Sequence, residues 1–303
     1  MVAAELSSIS RIQVVTLCPM EKKLIITHFT DPLCFWCYAM EPEIRKIRVL
    51  LGDQLDYRIV MGVLSADVRE IIGSDAEAEL RYELRRSQIT ERLVKAARTI
   101  GMPFSVNRLA TRSPEEFVSL PASLAYCAMR LIDESVAESY LRRMRECVYA
   151  EGRRLSNAED FVELAGEFPI DAERFRENYK DGAAVPVLQE GIDECWAHNV
   201  TVFPTLLLQY GDKLDEIRGF CDYDTLKQGI AQLTGGDISL TDAEYSIHAL
   251  ESYVNRFGKV AAREIQTMFS LNEEQLANAM MDLVGTGHYK TQNCETSYFV
   301  IPK

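Results

Sequence analysis

The chain lacks the two features that direct a protein into or across a membrane. It has no apolar run approaching the roughly 18 residues of a spanning helix. Its first 20 residues show no charged start, apolar stretch and small-residue cleavage pattern of a secretory signal. We therefore expect a cytoplasmic protein without a membrane partner.

Basic residues are also scarce, with 33 Lys and Arg against 46 Asp and Glu and a formal charge of −13. Because binding to phosphates needs a basic face, this balance argues against a nucleic-acid partner. Histidine occurs only four times, and only one pair of cysteines is closely spaced. A zinc site needs a second paired ligand set, so no metal is predicted.

The remaining cysteines are scattered, at positions 18, 127, 147, 195, 221 and 294. A chain of this length without a secretory signal is expected to keep such thiols reduced and mostly buried. Cys127 and Cys147 fall inside helical patterns and are predicted core residues.

The most informative feature present is the pair Cys34 and Cys37, separated by Phe35 and Trp36. An apolar strand-like run over 24–29 precedes the pair, and apolar residues at helical intervals follow it. A helix beginning here places free N–H groups and the positive end of its dipole beside Cys34, which favours a thiolate. Cys37, one turn further on, is expected to be more covered and to resolve a mixed disulfide. A cytosolic C-x-x-C in this context is typical of a thioredoxin-like redox motif; two structural cysteines or half a metal site is the alternative.

Pro204 is the second candidate site residue. It stands directly before a strand-like run, where we predict a cis peptide bond; an ordinary trans proline opening an edge strand is the alternative. The backbone beside it is predicted to pair with an extended substrate. Phe35, Trp36, Phe203 and Thr205 are the predicted substrate contacts.

His28 lies six residues before Cys34 in the first predicted strand. Its side chain either moves protons for Cys37 or is a core histidine bonded to the backbone. Asp31 either caps the following helix or shapes the turn; capping is preferred to an electrostatic role, because a carboxylate beside the pair would raise the pKa of the thiolate.

The predicted order of elements is strand–helix–strand, a helical insertion, and helix–strand–strand–helix. This order predicts an α/β chain with a thioredoxin-like fold and a large all-helical insertion. The predicted units are a tail over 1–21, a thioredoxin-like domain over 22–64 and 180–235, and the insertion over 65–179. Residues 240–303 form a predicted small C-terminal winged-helix-like α+β module.

The C-terminal module invites a DNA-binding interpretation, but its composition opposes one. It holds more acidic than basic residues, and its third predicted helix has neither lysine nor arginine between 272 and 284. A protein partner or self-association through 240–303 is the better interpretation.

The sequence also resembles a known family at two places. Residues 30–38 read TDPLCFWCY, Glu41-Pro42 follows, and residues 203–206 read FPTL. These segments resemble the DsbA-like thioredoxin superfamily, in its cytoplasmic FrnE-type and disulfide-isomerase branches, over roughly residues 22–234. They are also similar to the SpxH adaptors, which share the fold and bind a transcription regulator for proteolysis. Members with serine in place of the first cysteine are kappa-class glutathione transferases or isomerases, and Cys34 argues against those.

The resemblance implies Cys34 as nucleophile, Cys37 as resolving cysteine and Pro204 at the substrate groove. The chain departs from the family pattern at His28, where an acid is usual. The hypothesis is therefore a cytoplasmic protein dithiol–disulfide oxidoreductase or isomerase that acts on protein or small-thiol disulfides. A redox-sensitive, SpxH-like adaptor is the alternative. No cofactor is implied, since the cysteine pair itself carries the electrons, and the direction of the reaction stays open.

Overall fold

A four-stranded mixed sheet forms the centre of the molecule. The structure is a computed structural model that describes residues 22–73 and 77–303, so the predicted tail over 1–21 lies outside the described residues. The sheet has the order β2-β1-β3-β4, with β1 parallel to β2 and antiparallel to β3. Its strands are β1 (Leu24–Thr30), β2 (Leu55–Met61), β3 (Thr205–Tyr210) and β4 (Lys213–Arg218). With α1 and α2 between β1 and β2, and a long helical segment between β2 and β3, this topology confirms the predicted thioredoxin-like fold.

Eleven helices accompany the sheet in the described ranges up to residue 234. They are α1 (Phe35–Ala39), α2 (Glu41–Leu51), α3 (Val68–Ile72), α4 (Ala78–Ile100), α5 (Val106–Ala110), α6 (Leu120–Arg130), α7 (Glu134–Arg145), α8 (Ala158–Ala165), α9 (Ala172–Lys180), α10 (Ala184–Ala197) and α11 (Tyr223–Thr234). Helices α3–α9 lie between β2 and α10 and form the helical insertion. A 3₁₀ turn occupies Pro114–Phe117, and a π-helical turn, Glu146–Ala150, continues α7.

The predicted helix after the cysteine pair is two helices with a break at Met40. Pro42 stands in the first turn of α2 and has no N–H to donate to a carbonyl of the preceding turn. Met40 therefore ends α1 and begins α2, and its carbonyl accepts the N–H groups of Glu43 and Ile44. The short α1 carries both cysteines at its start.

Two layers of apolar side chains enclose the sheet. On one face, Leu24, Ile26 and Leu208 pack with side chains of α2 and α11. On the other, Phe29 packs with Cys195 of α10. A larger core fills the insertion and extends to α1, so Phe35 and Tyr38 pack against insertion residues such as Phe104.

Residues 247–302 contain three helices and a three-stranded sheet. The helices are α12 (Ile247–Phe257), α13 (Ala262–Met268) and α14 (Glu273–Gly285), and the strands are β5 (Val260–Ala261), β6 (Tyr289–Asn293) and β7 (Tyr298–Pro302). The sheet order is β5-β7-β6. The sequence predicted an α+β module here, and the strand β5 is only two residues long. The winged-helix-like classification of this module stays a prediction.

The C-terminal module packs on α2 of the thioredoxin-like unit. Lys46, buried in α2, pairs with Asp242 at 2.9 Å and donates to Ser270 Oγ at 2.9 Å. Arg45 of α2 pairs with the fully buried Glu264 of α13 at 2.8 Å. The module is therefore held against the helix that follows the cysteine pair. No helix of the described residues is long and apolar enough to cross a membrane.

Candidate active site

Cys34 and Cys37 lie at the start of α1, one turn apart. Cys34 is the N-cap residue in an extended conformation, and its Sγ accepts the backbone N–H of Cys37 at 3.1 Å. Asp31 does not cap the helix but shapes the turn: Oδ1 accepts the N–H of Leu33 at 2.7 Å and Oδ2 that of Leu64 at 2.8 Å. The Asp31 carboxylate thus joins the end of β1 to the segment after β2 and holds the backbone turn that leads into the cysteine pair.

The predicted cis proline is confirmed and lies beside the pair. The Phe203–Pro204 peptide bond is cis, and Cys34 Sγ donates to the carbonyl oxygen of Phe203 at 3.5 Å. The ring of Phe203 lies over Gly62, where a Cβ would come within 2.2 Å of the ring. Glycine at this position lets the proline segment approach the end of β2.

Burial and neighbouring charges set the ionisation of the pair. Burial opposes ionisation of Cys37 most strongly, yet the neighbouring side chains of Cys34 and His28 and the charge of Arg145 hold the pKa of Cys37 well below its usual range. Burial, the hydrogen bond with Cys37 and the charges of Cys37 and Asp31 hold the pKa of Cys34 well above its usual range. The two thiols therefore titrate together as one pair, whose ionisation burial opposes and the buried cation Arg145 favours.

The exposure of Cys34 differs from the expected one. Cys34 was expected to be the accessible, attacking thiol, but only 3% of its surface is accessible. The helix N-terminus does present the Cys37 N–H to Cys34, as predicted. Burial around Cys34 opposes the effect of that donor, and the buried cation Arg145 lowers the pKa of both thiols.

His28 is buried next to the pair. Its Nδ1 hydrogen-bonds with the hydroxyl of Tyr57 at 2.7 Å, and its Nε2 is buried with no conventional hydrogen-bond partner among the described residues. His28 is close enough to Cys37 to lower the pKa of that thiol. The partner of its ring is thus a tyrosine rather than the backbone, which favours the proton-handling alternative over a core histidine.

Arg145 is the site residue that the sequence did not indicate. It ends α7 in the insertion, is 3% exposed, and donates to Thr30 Oγ1 at 2.6 Å and to the carbonyl of Asp31 at 3.1 Å. It also pairs with Glu41 at 2.8 Å. The sequence does not distinguish Arg145 from the other arginines of this amphipathic helix. Only the packing of α7 on the turn between β1 and α1 brings it close to the cysteines.

The four predicted substrate contacts divide into two surface and two interior residues. Trp36 is 39% exposed and its ring lies 5.9 Å from that of the equally exposed Phe220, and Phe203 is half-buried. Phe35 instead stacks on Phe104 at 4.8 Å inside the insertion core. Thr205 is buried.

Thr205 donates through Oγ1 to the carbonyl of Val202 at 2.8 Å. Neither Thr205 nor Phe35 is therefore placed to touch a substrate. Phe35 is covered by the helical insertion, and Thr205 is covered within the sheet. Phe220, which sequence analysis did not single out, joins Trp36 on the apolar surface beside the pair.

The other cysteines of the described chain are free thiols. Burial raises the pKa of Cys127, Cys147 and Cys221 to about 12 and that of Cys195 to about 11. Cys127 and Cys147 are core residues, as predicted. The described residues contain no cluster of three or more side chains able to hold a metal ion.

Comparison with known proteins gives related sequences and structures. A family model described as Thioredoxin matches residues 28–228. The ClpXP adapter protein SpxH of Bacillus subtilis is 24% identical over 266 residues, which span 87% of this chain and 84% of that protein. The protein of the same name from Bacillus licheniformis is 24% identical over 269 residues, with 87% and 83% coverage.

Two solved structures share the fold. One, described as a protein disulfide isomerase from Nitrosomonas europaea, superposes with a TM-score of 0.58 at 18% identity, over 71% of this chain and 100% of that one. Another, described as a DsbA oxidoreductase from Streptomyces coelicolor, gives a TM-score of 0.55 at 17% identity, over 73% and 95%. The relatives named as adaptors extend over most of the chain, whereas these structures cover about three quarters of it or less.

Proposed function

Because this chain belongs to the thioredoxin family, in the DsbA-like part of that superfamily, we propose that it exchanges thiols and disulfides through Cys34 and Cys37. The observation that carries the proposal is the cysteine pair itself: two free thiols within one helical turn, next to a cis proline, with the buried cation Arg145 close enough to lower the pKa of both. Such a perturbed pair of thiols is typical of a functional site.

The exchange runs in two steps. Cys37, with His28 beside it, takes the Cys34 proton, and the Cys34 thiolate attacks one sulfur of a substrate disulfide. A Cys34–substrate disulfide forms and the other substrate sulfur leaves as a thiolate. Cys37 passes that proton to the departing substrate thiolate, and its own thiolate then attacks the Cys34 sulfur, which releases the second substrate sulfur as a thiolate and leaves a Cys34–Cys37 disulfide. The substrate gains two electrons and the pair loses two; the reverse sequence oxidises a dithiol.

The described cysteines are all free thiols, which fits a reducing compartment, and we propose the cytoplasm as the setting. Substrates reach the pair along the exposed surface of Trp36 and Phe220 beside Phe203. Protein disulfides fit this apolar surface better than a small charged thiol.

The first experiment is a thiolate titration at 240 nm (thiolate absorbance) on the reduced protein and on the Cys34→Ser and Cys37→Ser variants. A thiolate persisting well below pH 8 in the wild type, and lost in the Cys37→Ser variant, is expected. A wild-type titration at or above the ordinary thiol range of about 8.5 would rule out an activated pair.

Turnover is the second measurement. Reduction of a protein disulfide by the wild type, with loss of turnover in Cys34→Ser and trapping of a mixed disulfide in Cys37→Ser, is the expected pattern. An unchanged rate in Cys34→Ser would contradict the proposal.

A client-binding adaptor is the second candidate, and one observation favours it. The alignment with the ClpXP adapter protein SpxH of Bacillus subtilis spans 266 residues and 87% of this chain, so the likeness includes residues beyond the family match over 28–228. On this hypothesis the module over 240–303 contributes to binding a protein partner or a second copy of the chain. An adaptor should speed degradation of a client by ClpXP, and should keep doing so in Cys34→Ser with negligible disulfide turnover.

A further inference from the structure

A narrow crevice with an unusual charge opens beside the cysteine turn. Its volume is about 10 Å³, which is room for one water-sized group. Leu33, the residue before Cys34, forms part of its wall. Its charged lining residues are Arg108, Arg112, Arg153, Arg154 and Glu116. Four arginines against one glutamate make this a positive site on a chain whose formal charge is −13.

The single glutamate is shared between two of the arginines. Both Arg108 and Arg154 pair with Glu116, which is itself buried. Arg153 faces away from this carboxylate and pairs at 3.4 Å with Glu163 and at 3.8 Å with Glu167. The carboxylate of Glu116 is thus shared by two arginines and forms no ion pair with the fourth cation among the described residues.

Arg112 is that fourth cation, and it is 5% exposed. Its guanidinium donates to the backbone carbonyl of Glu116 and lies over the rings of Phe117 and Tyr149, at 4.4 and 5.7 Å from their centroids. No carboxylate of the described chain forms an ion pair with it. A buried charge without a counter-charge is costly, so an anion entering the crevice gains more from Arg112 than it would from an exposed arginine.

The crevice is linked to the reactive pair by one side chain. The hydroxyl of Tyr149, whose ring faces Arg112, donates to the carbonyl of Leu33. Tyr149 and Leu33 thus connect the wall of the crevice to the residue that precedes Cys34. Arg154 also lines the crevice, and 63% of its side chain is exposed. Its guanidinium is therefore accessible to one oxygen of a carboxylate whose other oxygen lies in the crevice.

We propose that this crevice binds the carboxylate of an aspartate or glutamate in the protein segment that engages Cys34. One carboxylate oxygen enters beside Arg112 and the other meets Arg154, which matches the forked geometry that arginine prefers. The rest of the chain is acidic, so recognition of an acidic segment must come from a local site such as this one. The inference rests on the proposed function, because it names the class of segment that reaches the pair.

The test uses synthetic peptides that carry one cysteine as a 2-thiopyridyl disulfide, a neutral leaving group whose release is followed by absorbance. One series places a single glutamate in turn on either side of the cysteine, and a matched series has glutamine instead. In a Cys37→Ser background, at least one glutamate peptide is expected to react about tenfold faster than its glutamine counterpart, since a charge-assisted hydrogen bond contributes about 1.5 kcal/mol or more.

The preference should depend on the crevice. Arg112→Gln should reduce the glutamate-to-glutamine rate ratio to about one, and Arg154→Gln, at an exposed position that does not endanger folding, should reduce it by a smaller factor. Arg174→Gln is the matched control, because Arg174 is exposed and lies outside the crevice. Equal rates for the two series, or an unchanged ratio in Arg154→Gln and Arg112→Gln, would overturn the proposal.

A binding measurement separates the crevice from the thiol chemistry. Calorimetry uses the same peptides with serine in place of the cysteine, so binding is measured without any reaction. Tighter binding of the glutamate peptide than of its glutamine counterpart supports the crevice even if no peptide releases thiopyridine. Release without discrimination would leave thiol exchange standing and refute the crevice.

Discussion

At the scale of single residues, two buried charges act on the cysteine pair in opposite directions. Arg145 lowers the pKa of both thiols, and Asp31 raises that of Cys34. Burial also acts on Asp31 itself and raises its pKa to about 6. The ionisation of the pair therefore depends on two side chains that never form a bond with substrate.

Replacing Arg145 by methionine should raise the pKa of Cys37, because the thiolate loses its buried counter-charge. It should also lower the free energy of unfolding by about 3 kcal/mol, since Glu41 loses a partner. Thiolate absorbance against pH and urea unfolding measure the two effects. Arg145→Lys should restore part of the titration, and Arg143→Met, whose partners are Glu151 and Glu167, should leave it unchanged.

Replacing Asp31 by asparagine should change how stability varies with pH. The folded protein holds the Asp31 proton up to about pH 6, against 3.8 for the ordinary group. Asp31 thus favours folding below about pH 4, and this contribution of about 3 kcal/mol is lost as pH rises through 6. The difference between wild-type and variant unfolding free energies should follow that course.

Urea unfolding at several pH values measures this difference. A difference that stays constant between pH 4 and 7 would show that Asp31 is not the titrating group. Asp56→Asn, at an exposed position on β2, is the control. Asp31→Asn should also lower the pKa of Cys34, because it removes the negative charge beside that thiol.

At the scale of elements, close backbone approaches position the site. Helix α10 packs on β2 at Gly191, where a Cβ would come within 2.3 Å of the Met61 carbonyl oxygen. Met61 ends β2, next to the turn that Asp31 ties down through Leu64. The distance between α10 and the sheet is therefore set by one glycine.

Gly191→Ala should destabilise the protein by about 2 kcal/mol, because a backbone carbonyl cannot yield as a flexible side chain does. Gly229→Ala in α11 is the matched control: its Cβ would meet Ile217 at an ordinary 3.5 Å. That substitution should be neutral or stabilising by about 0.5 kcal/mol, since alanine favours a helix. Thermal unfolding measures the stability of the two variants. An equal change in stability for Gly191→Ala and Gly229→Ala would contradict the packing argument.

At the scale of the whole molecule, one buried network joins the three parts of the chain. Arg142 of the insertion pairs with Glu41 of α2 and with Glu264 of α13, the latter at 3.1 Å. Glu41 also pairs with Arg145, which faces the cysteines. The C-terminal module is thus connected by ion pairs to the site that the insertion and the sheet form.

Glu264→Gln should therefore loosen the module as well as lower stability. Glu264 is fully buried, pairs with Arg45 and Arg142, and accepts the N–H of Ala261 at 2.7 Å. Removing its charge leaves two cations short of a partner, and a loss of about 3 kcal/mol is expected. Hydrogen exchange should rise in residues 247–302, whereas Glu274→Gln on the exposed side of α14 should change neither property.

Local patterns in the sequence determined the order of strands and helices, the cysteine pair at a helix start and the cis Phe203–Pro204 bond. Each depends on residues close together in the chain, such as an apolar run or a proline before a strand. Only the tertiary structure decided that Arg145 lies beside Cys37, that Phe35 is covered by the insertion and that Cys34 is buried. Burial and the approach of distant charges depend on how helices pack, and ionisation follows from both, so no local pattern contains them.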